Sequence, residues 1–175
     1  MNTKQAEPVR ENTPPANGVS LIGLGNIEKR DDGIGVLLVE ALREQLEAGA
    51  WRPKCSRNLA IVSAGPDNLL AAAHAVGGRW VILVDAAQMG LTAGESCMFS
   101  PADAAFSVRG WGLSPHDTDL AETLGLIDIL GCAGRVRILG IQTEDMRDGR
   151  GLSRLLQARF AEMQARIKEE VGLLP

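Results

Sequence analysis

The chain has 175 residues, a formal net charge of −4, 45% hydrophobic, 23% charged and 3% aromatic residues. That length suits one domain with a substantial core, the acidic balance gives no footprint for a polyanion, and so few aromatics leave little for bases to stack on, so nucleic acid is excluded as the expected partner. No apolar run reaches the roughly 18 to 20 residues of a membrane span, and three scattered cysteines without a Cys-x-x-Cys pair point to neither a disulfide framework nor a zinc knuckle. The expected setting is therefore a reducing cytoplasm, with no membrane partner.

Residues 1–18 are polar, with Pro8, Pro14 and Pro15, and read as a flexible extension before a single domain over residues 19–175. Val19 to Gly25 is a buried strand by composition. Gly33 to Leu46 follows as a helix, with Ile34, Leu37, Leu38, Ala41, Leu42 and Leu46 on one stripe. Asn58 to Ser63 is a second short strand, broken at Gly65-Pro66 and followed by an Ala-rich helical segment from Asp67 to Val76.

Trp80 to Val84 is apolar throughout, as a strand covered on both faces should be, and ends at Asp85. Glu95 to Phe99 suits an edge strand. Ser114-Pro115-His116-Asp117 has a capping residue, a proline and an acid in the order of a helix start, with Leu120, Leu124 and Ile127 as the buried stripe beyond. Arg135 to Ile141 is another strand. Leu152 to Val171 is a last helix whose buried face is Leu155, Leu156, Phe160, Met163 and Ile167. Alternating strands and helices predict an α/β fold, a three-layer α/β/α sandwich around a mostly parallel sheet of about five strands.

Gly23-Leu24-Gly25-Asn26 opens like a dinucleotide-binding turn, but Glu28 stands where the third glycine belongs. The next strand also closes on Ser63-Ala64-Gly65 without a ribose-binding acid. Asp31 and Asp32 would repel a phosphate and suit a cation better. In a parallel sheet the carboxyl ends of strands and the amino ends of helices share an edge, so Asp32, Asp85 and His116 are expected on one rim. Two carboxylates and an imidazole can bind a transition metal with positions left open, position a water, or polarise a carbonyl. Each has a plainer use as well: Asp31 and Asp32 as caps, Asp85 as an acceptor for backbone amides, His116 as a donor at a helix start. His74 reads as a surface residue. Cys55, Cys97 and Cys132 read as small core residues, since none has the context of an activated thiol.

The chain resembles the nickel-iron hydrogenase maturation proteases, which trim the C-terminal extension from the hydrogenase large-subunit precursor. The pieces that carry the resemblance are GLGN with DDGIGVLLVEAL (Gly23 to Leu42), VILVDAAQMGLTAGE (Val81 to Glu95), SPHDTDLAETL (Ser114 to Leu124) and GIQ (Gly140 to Gln142). VDAAQMGLTAGE and GIQ are most similar to members acting on hydrogenase 3.

The resemblance implies an aspartic-type endopeptidase whose metal-recognising residues are Asp32, Asp85 and His116. It implies nickel as cargo of the precursor rather than a resident cofactor, and that precursor as partner. One departure stands out: relatives commonly carry Asp-Gly-Gly in the loop after the second strand, where the corresponding stretch of this chain is Ile61-Val62-Ser63-Ala64-Gly65. Two other readings use the same features, a metal-dependent docking module that does not cut, and a nucleotide-binding α/β domain resting on the GLGN turn alone.

Overall fold

The computed structural model describes residues 18–53, 58–67, 79–103, 125–129 and 131–174. Five strands form one sheet: β1 (Gly18–Leu24), β2 (Asn58–Gly65), β3 (Trp80–Ala87), β4 (Ser96–Phe99) and β5 (Val136–Gln142). Their order is β2-β1-β3-β5-β4. The first four in that order run parallel, and β4 closes one edge antiparallel to β5. The edge strand is thus where Glu95 to Phe99 was expected.

Two long helices, α1 (Ile34–Glu47) and α2 (Arg154–Leu173), cover one face of the sheet. Ile34, Leu38 and Leu42 from α1 and Leu156, Met163 and Ile167 from α2 meet Leu21, Ile82, Val84 and Leu139 there. The opposite face carries Ile22, Leu83 and Ile138, covered by Ile127 on helical residues 125–129. Apolar side chains on both faces of β3 therefore explain its unbroken apolar sequence, and the three-layer α/β/α architecture follows. Truncating Leu83 to alanine in that doubly covered strand would cost about 2–5 kcal/mol. No helix among the described residues is long and apolar enough to cross a membrane.

Several details differ from expectation. In α1, Val36 and Val39 are buried while Leu37 and Ala41 are half-buried, so the apolar stripe is rotated toward the valines. Leu155 is 36% exposed, whereas Leu156 beside it in the first turn of α2 is fully buried. Cys97 is exposed on the edge strand, so it is not a core residue; Cys132 is half-buried and Cys55 lies outside the described residues. β1 begins at Gly18, one residue inside the expected extension. The Ala-rich segment and the helix opening at Ser114 lie outside the described residues, apart from Asp67 and residues 125–129.

The missing third glycine of the turn has a counterpart elsewhere. A Cβ on Gly35 would stand 2.2 Å from the Val84 carbonyl oxygen and 2.5 Å from that of Leu24, and one on Gly23 would stand 2.4 Å from the Gly35 carbonyl oxygen. Close approach of helix to sheet is thus supplied by Gly23 and Gly35. It brings the start of α1 down onto the carboxyl ends of β1 and β3.

Candidate active site

The glycine turn is built around Asp32. After β1, Gly25 has a φ of 111°, donates its N–H to the Gly65 carbonyl at 3.1 Å, and leaves no room for a side chain, since a Cβ would fall 1.9 Å from the Asp32 carbonyl oxygen. Asn26 then works twice. Its backbone N–H donates to Asp32 Oδ2 at 2.9 Å, and its own Oδ1 accepts the N–H of Glu28 at 2.9 Å. A single 3₁₀ turn, Arg30–Gly33, delivers Asp32 half-buried just ahead of α1.

Asp31 is not a cap. The N-cap of α1 is Gly33, with no side-chain bond, and the Asp31 carboxylate points away to residues more than a hundred positions later. Its side chain is 0% exposed. Oδ2 accepts the N–H groups of Glu144 at 3.0 Å and Asp145 at 2.9 Å, and Oδ1 that of Ser153 at 2.6 Å. A buried carboxylate is tolerable because these three charge-assisted bonds replace its water.

The segment from Glu144 to Ser153 is stitched to the same turn by main-chain bonds. Asp31 N–H donates to the Asp145 carbonyl at 3.0 Å, Arg30 N–H to that of Gly149 at 2.7 Å, and Gly149 N–H to that of Glu28 at 2.7 Å. Arg30 takes a φ of 45° to make this possible. Ion pairs fringe the seam. The Arg150 guanidinium grips both carboxylate oxygens of Glu28 and lowers its pKa. The Arg147 guanidinium, with help from Arg147 N–H and Arg30, holds the Asp145 carboxyl well below the usual carboxylate range. Such exposed pairs add little stability individually, so the seam rests on Asp31 and the backbone.

Asp85 lies inside β3 rather than at its end, because Ala86 and Ala87 continue the pairing with Ile141 and Gln142. It is 8% exposed, and its Oδ1 accepts the N–H of Ala86 at 2.8 Å, the backbone-amide use open to a strand-end aspartate. The strand's alternation puts it on the side of Val81 and Leu83. The loop that follows is organised by Gln142, 5% exposed at the end of β5. Its Oε1 accepts from Met89 N–H at 2.7 Å and Leu91 N–H at 3.2 Å, while its Nε2 donates to Gln88 Oε1 at 2.8 Å. Gln88 reaches on to Thr143 Oγ1 at 2.5 Å. Gln142 carried part of the family resemblance but no assigned role. The available signal was a lone amide closing an otherwise apolar strand.

The structure brings Asp32 and Asp85 to one edge. β1 and β3 are parallel neighbours with Gly23 opposite Val84, and the 3₁₀ turn packs against β3. His116 and His74 lie outside the described residues, as does Ser114. Among the described residues no group of three His, Cys, Asp or Glu side chains is placed to hold a metal ion. Two carboxylates on the rim supply oxygen donors or a general base. On the far side of β1, the residues that replace Asp-Gly-Gly have their own arrangement: Ser63 donates its hydroxyl to Glu40 Oε1 at 3.1 Å, and Arg43 Nη2 donates to the Ile61 carbonyl at 3.1 Å.

Fold and edge together define an α/β protein that carries Asp32 and Asp85 at the carboxyl-end edge of its parallel strands. The chain belongs to the hydrogenase maturation protease family, whose model, HycI, matches residues 36–170. It is 28% identical over 139 residues to the hydrogenase expression/formation protein HupD of Rhizobium leguminosarum bv. viciae, covering 79% of this chain and 65% of that protein. The chain thus spans just under two thirds of that relative's length. Its fold is similar to the [NiFe] hydrogenase maturation protease HybD from Thermococcus kodakarensis, with a TM-score of 0.66, 23% identity, and coverage of 88% of this chain and 98% of that one. It is also similar to the crystal structure of a hydrogenase 3 maturation protease, with a TM-score of 0.62, 25% identity, and coverage of 88% and 90%.

Proposed function

We propose that this chain is an endopeptidase that removes the C-terminal extension of a nickel-iron hydrogenase large-subunit precursor in the cytoplasm once nickel has been inserted. The observation that carries the reading is the placement of Asp32 and Asp85 at one sheet edge in a domain of the maturation protease family. On this reading the nickel arrives with the precursor. Asp32, Asp85 and His116 complete its coordination, as oxygen and imidazole donors suit that ion. Docking on the metal then sets the scissile peptide beside the carboxylates.

A carboxylate takes a proton from water as the water oxygen bonds to the peptide carbon. The C–N bond breaks, and the proton passes to the leaving amine. The precursor's nickel, held by Asp32, Asp85 and His116, would supply Lewis-acid polarisation of the peptide carbonyl. The aspartic-type label fits a carboxylate as general base.

The test is to incubate the protein with nickel-loaded precursor and follow the precursor's mass. Loss of a C-terminal peptide is expected, with nickel-free precursor left whole. Asp32→Ala, Asp85→Ala and His116→Ala should each slow processing by at least about 100-fold, while His74→Ala is near neutral. A stable complex with no loss of mass would replace the protease with a docking module. Normal processing by His116→Ala would remove that residue from the site.

A further inference from the structure

The Asp31 carboxylate has more invested in it than the cap its position in the sequence suggests. It is wholly buried beside a residue of the proposed site, accepts three backbone N–H groups at 2.6–3.0 Å, and has no contact with the helix it precedes that a cap would make. Its donors are the amides of Glu144, Asp145 and Ser153, on the segment that leaves β5 and enters α2. Gln88, in the loop that follows Asp85, donates to Thr143 Oγ1 just ahead of this segment and to Met146 Sδ within it. Asp31 therefore stands where three pieces meet: the turn bearing Asp32, the segment 144–153, and through it the loop behind Asp85.

We propose that Asp31 is a positioning residue of the proposed site, holding the Asp32 turn and the 144–153 segment in one fixed arrangement. The inference rests on the peptidase reading for its consequence and on the hydrogen bonds alone for its geometry. The reason a carboxylate is required is chemical. One oxygen must accept two N–H groups and the other a third, so both ends of the group must be acceptors. An amide of the same shape offers one acceptor and turns an NH₂ against at least one N–H, leaving that donor unmet and the turn free to shift. A displacement of the Asp32 carboxylate by about 1 Å is enough to reduce catalysis by about 100-fold when geometry carries the rate.

The experiment compares the full chain with Asp31→Asn and Asp31→Ala. Asp31→Ala removes both acceptor oxygens and leaves all three N–H groups unmet, whereas Asp31→Asn keeps one acceptor. Hydrogen exchange by the amides of Glu144 and Asp145 is followed without any precursor, and kcat and KM are measured with nickel-loaded precursor. Asp31→Asn should accelerate those two amides while leaving β3 amides protected, and should lower kcat by about 10–100-fold with KM within about twofold. Asp31→Ala should accelerate the same amides further and lower kcat by at least as much as Asp31→Asn.

Unchanged exchange in Asp31→Asn would overturn the clamp. Faster exchange with unchanged kcat would make the clamp merely structural and overturn the positioning role. If the unaltered protein leaves the precursor whole, the peptidase reading fails by itself, and the exchange arm still decides whether Asp31 holds the segment.

Discussion

Gly35→Ala is the sharpest test of how the helix start is held against the sheet, because two rules predict opposite signs. Alanine is favoured over glycine inside a helix by about 1 kcal/mol, so an unobstructed position would be stabilised. At Gly35, however, the new Cβ would lie 2.2 Å from the Val84 carbonyl oxygen, and ordinary contact begins near 3.4 Å. Both obstacles, Val84 and Leu24, are backbone, so α1 must retreat by about 1.2 Å, the difference between those two distances. A gap of about 1 Å forfeits a quarter to a half of a contact's dispersion energy.

Ile34, Leu38, Val39 and Leu42 face that gap. With each contributing about 2 kcal/mol on burial, the loss is about 3 kcal/mol, and about 2 kcal/mol remains after the propensity gain. For a chain of this size that lowers Tm by about 4–8 °C. Calorimetry or urea unfolding reads it directly. A Tm equal to or above that of the unaltered protein would show that helix and sheet can separate without loss, and would refute the argument that Gly35 exists for close approach.

Arg79 is 1% exposed, and burial lowers its pKa; its Nε donates to Ser20 Oγ at 2.9 Å and its Nη2 to the Val19 and Asn58 carbonyls at 2.7 and 2.9 Å. Arg79→Ala should cost about 3–5 kcal/mol in denaturant unfolding by leaving those carbonyls unmet and a cavity behind. Gln142→Ala should cost about 1–3 kcal/mol, expose the Met89 and Leu91 amides to exchange, and slow processing, since the loop behind Asp85 loses its acceptor. Asp145→Asn tests the seam by pH. The folded carboxyl titrates below its ordinary value of 3.8, so its contribution is present above that pH and lost as pH falls through the folded value. The Tm difference between the two proteins should therefore hold at neutral pH and shrink below about pH 4; a constant difference down to pH 2 would show that ionisation of Asp145 is irrelevant to stability.

The sheet was legible in the sequence to within a residue or two for most strands, because strands covered on both faces are largely apolar, and β1, β3 and β5 are, with Ser20, Asp85, Arg137 and Gln142 as the polar exceptions. Asp85 was misread as the strand's last residue since a carboxylate ordinarily ends an apolar run; here Ala86 and Ala87 extend it. The rotation of the α1 stripe toward Val36 and Val39 reflects how closely Gly35 lets that side approach the sheet, which periodicity alone does not register. Asp32 was legible from the edge rule for parallel sheets. Asp31 was not, since a buried acid is recognised by its donors, and these lie 113, 114 and 122 residues further on. Gln142 escaped notice for the same reason, its partners being 51–54 positions earlier.

The length of the Asp31 span bears on the order in which the molecule assembles. The turn leaves the ribosome early, while its carboxylate has no interior to enter until β5 and the first turn of α2 have been made and docked. Contacts so distant along the chain form late and slowly. A chain arrested before Glu144 would hold all five strands yet leave Asp31 without any of its three donors, so the sheet can be largely formed before the rim takes its final shape. The contacts that fix the turn bearing Asp32 thus arrive only with the last fifth of the polypeptide.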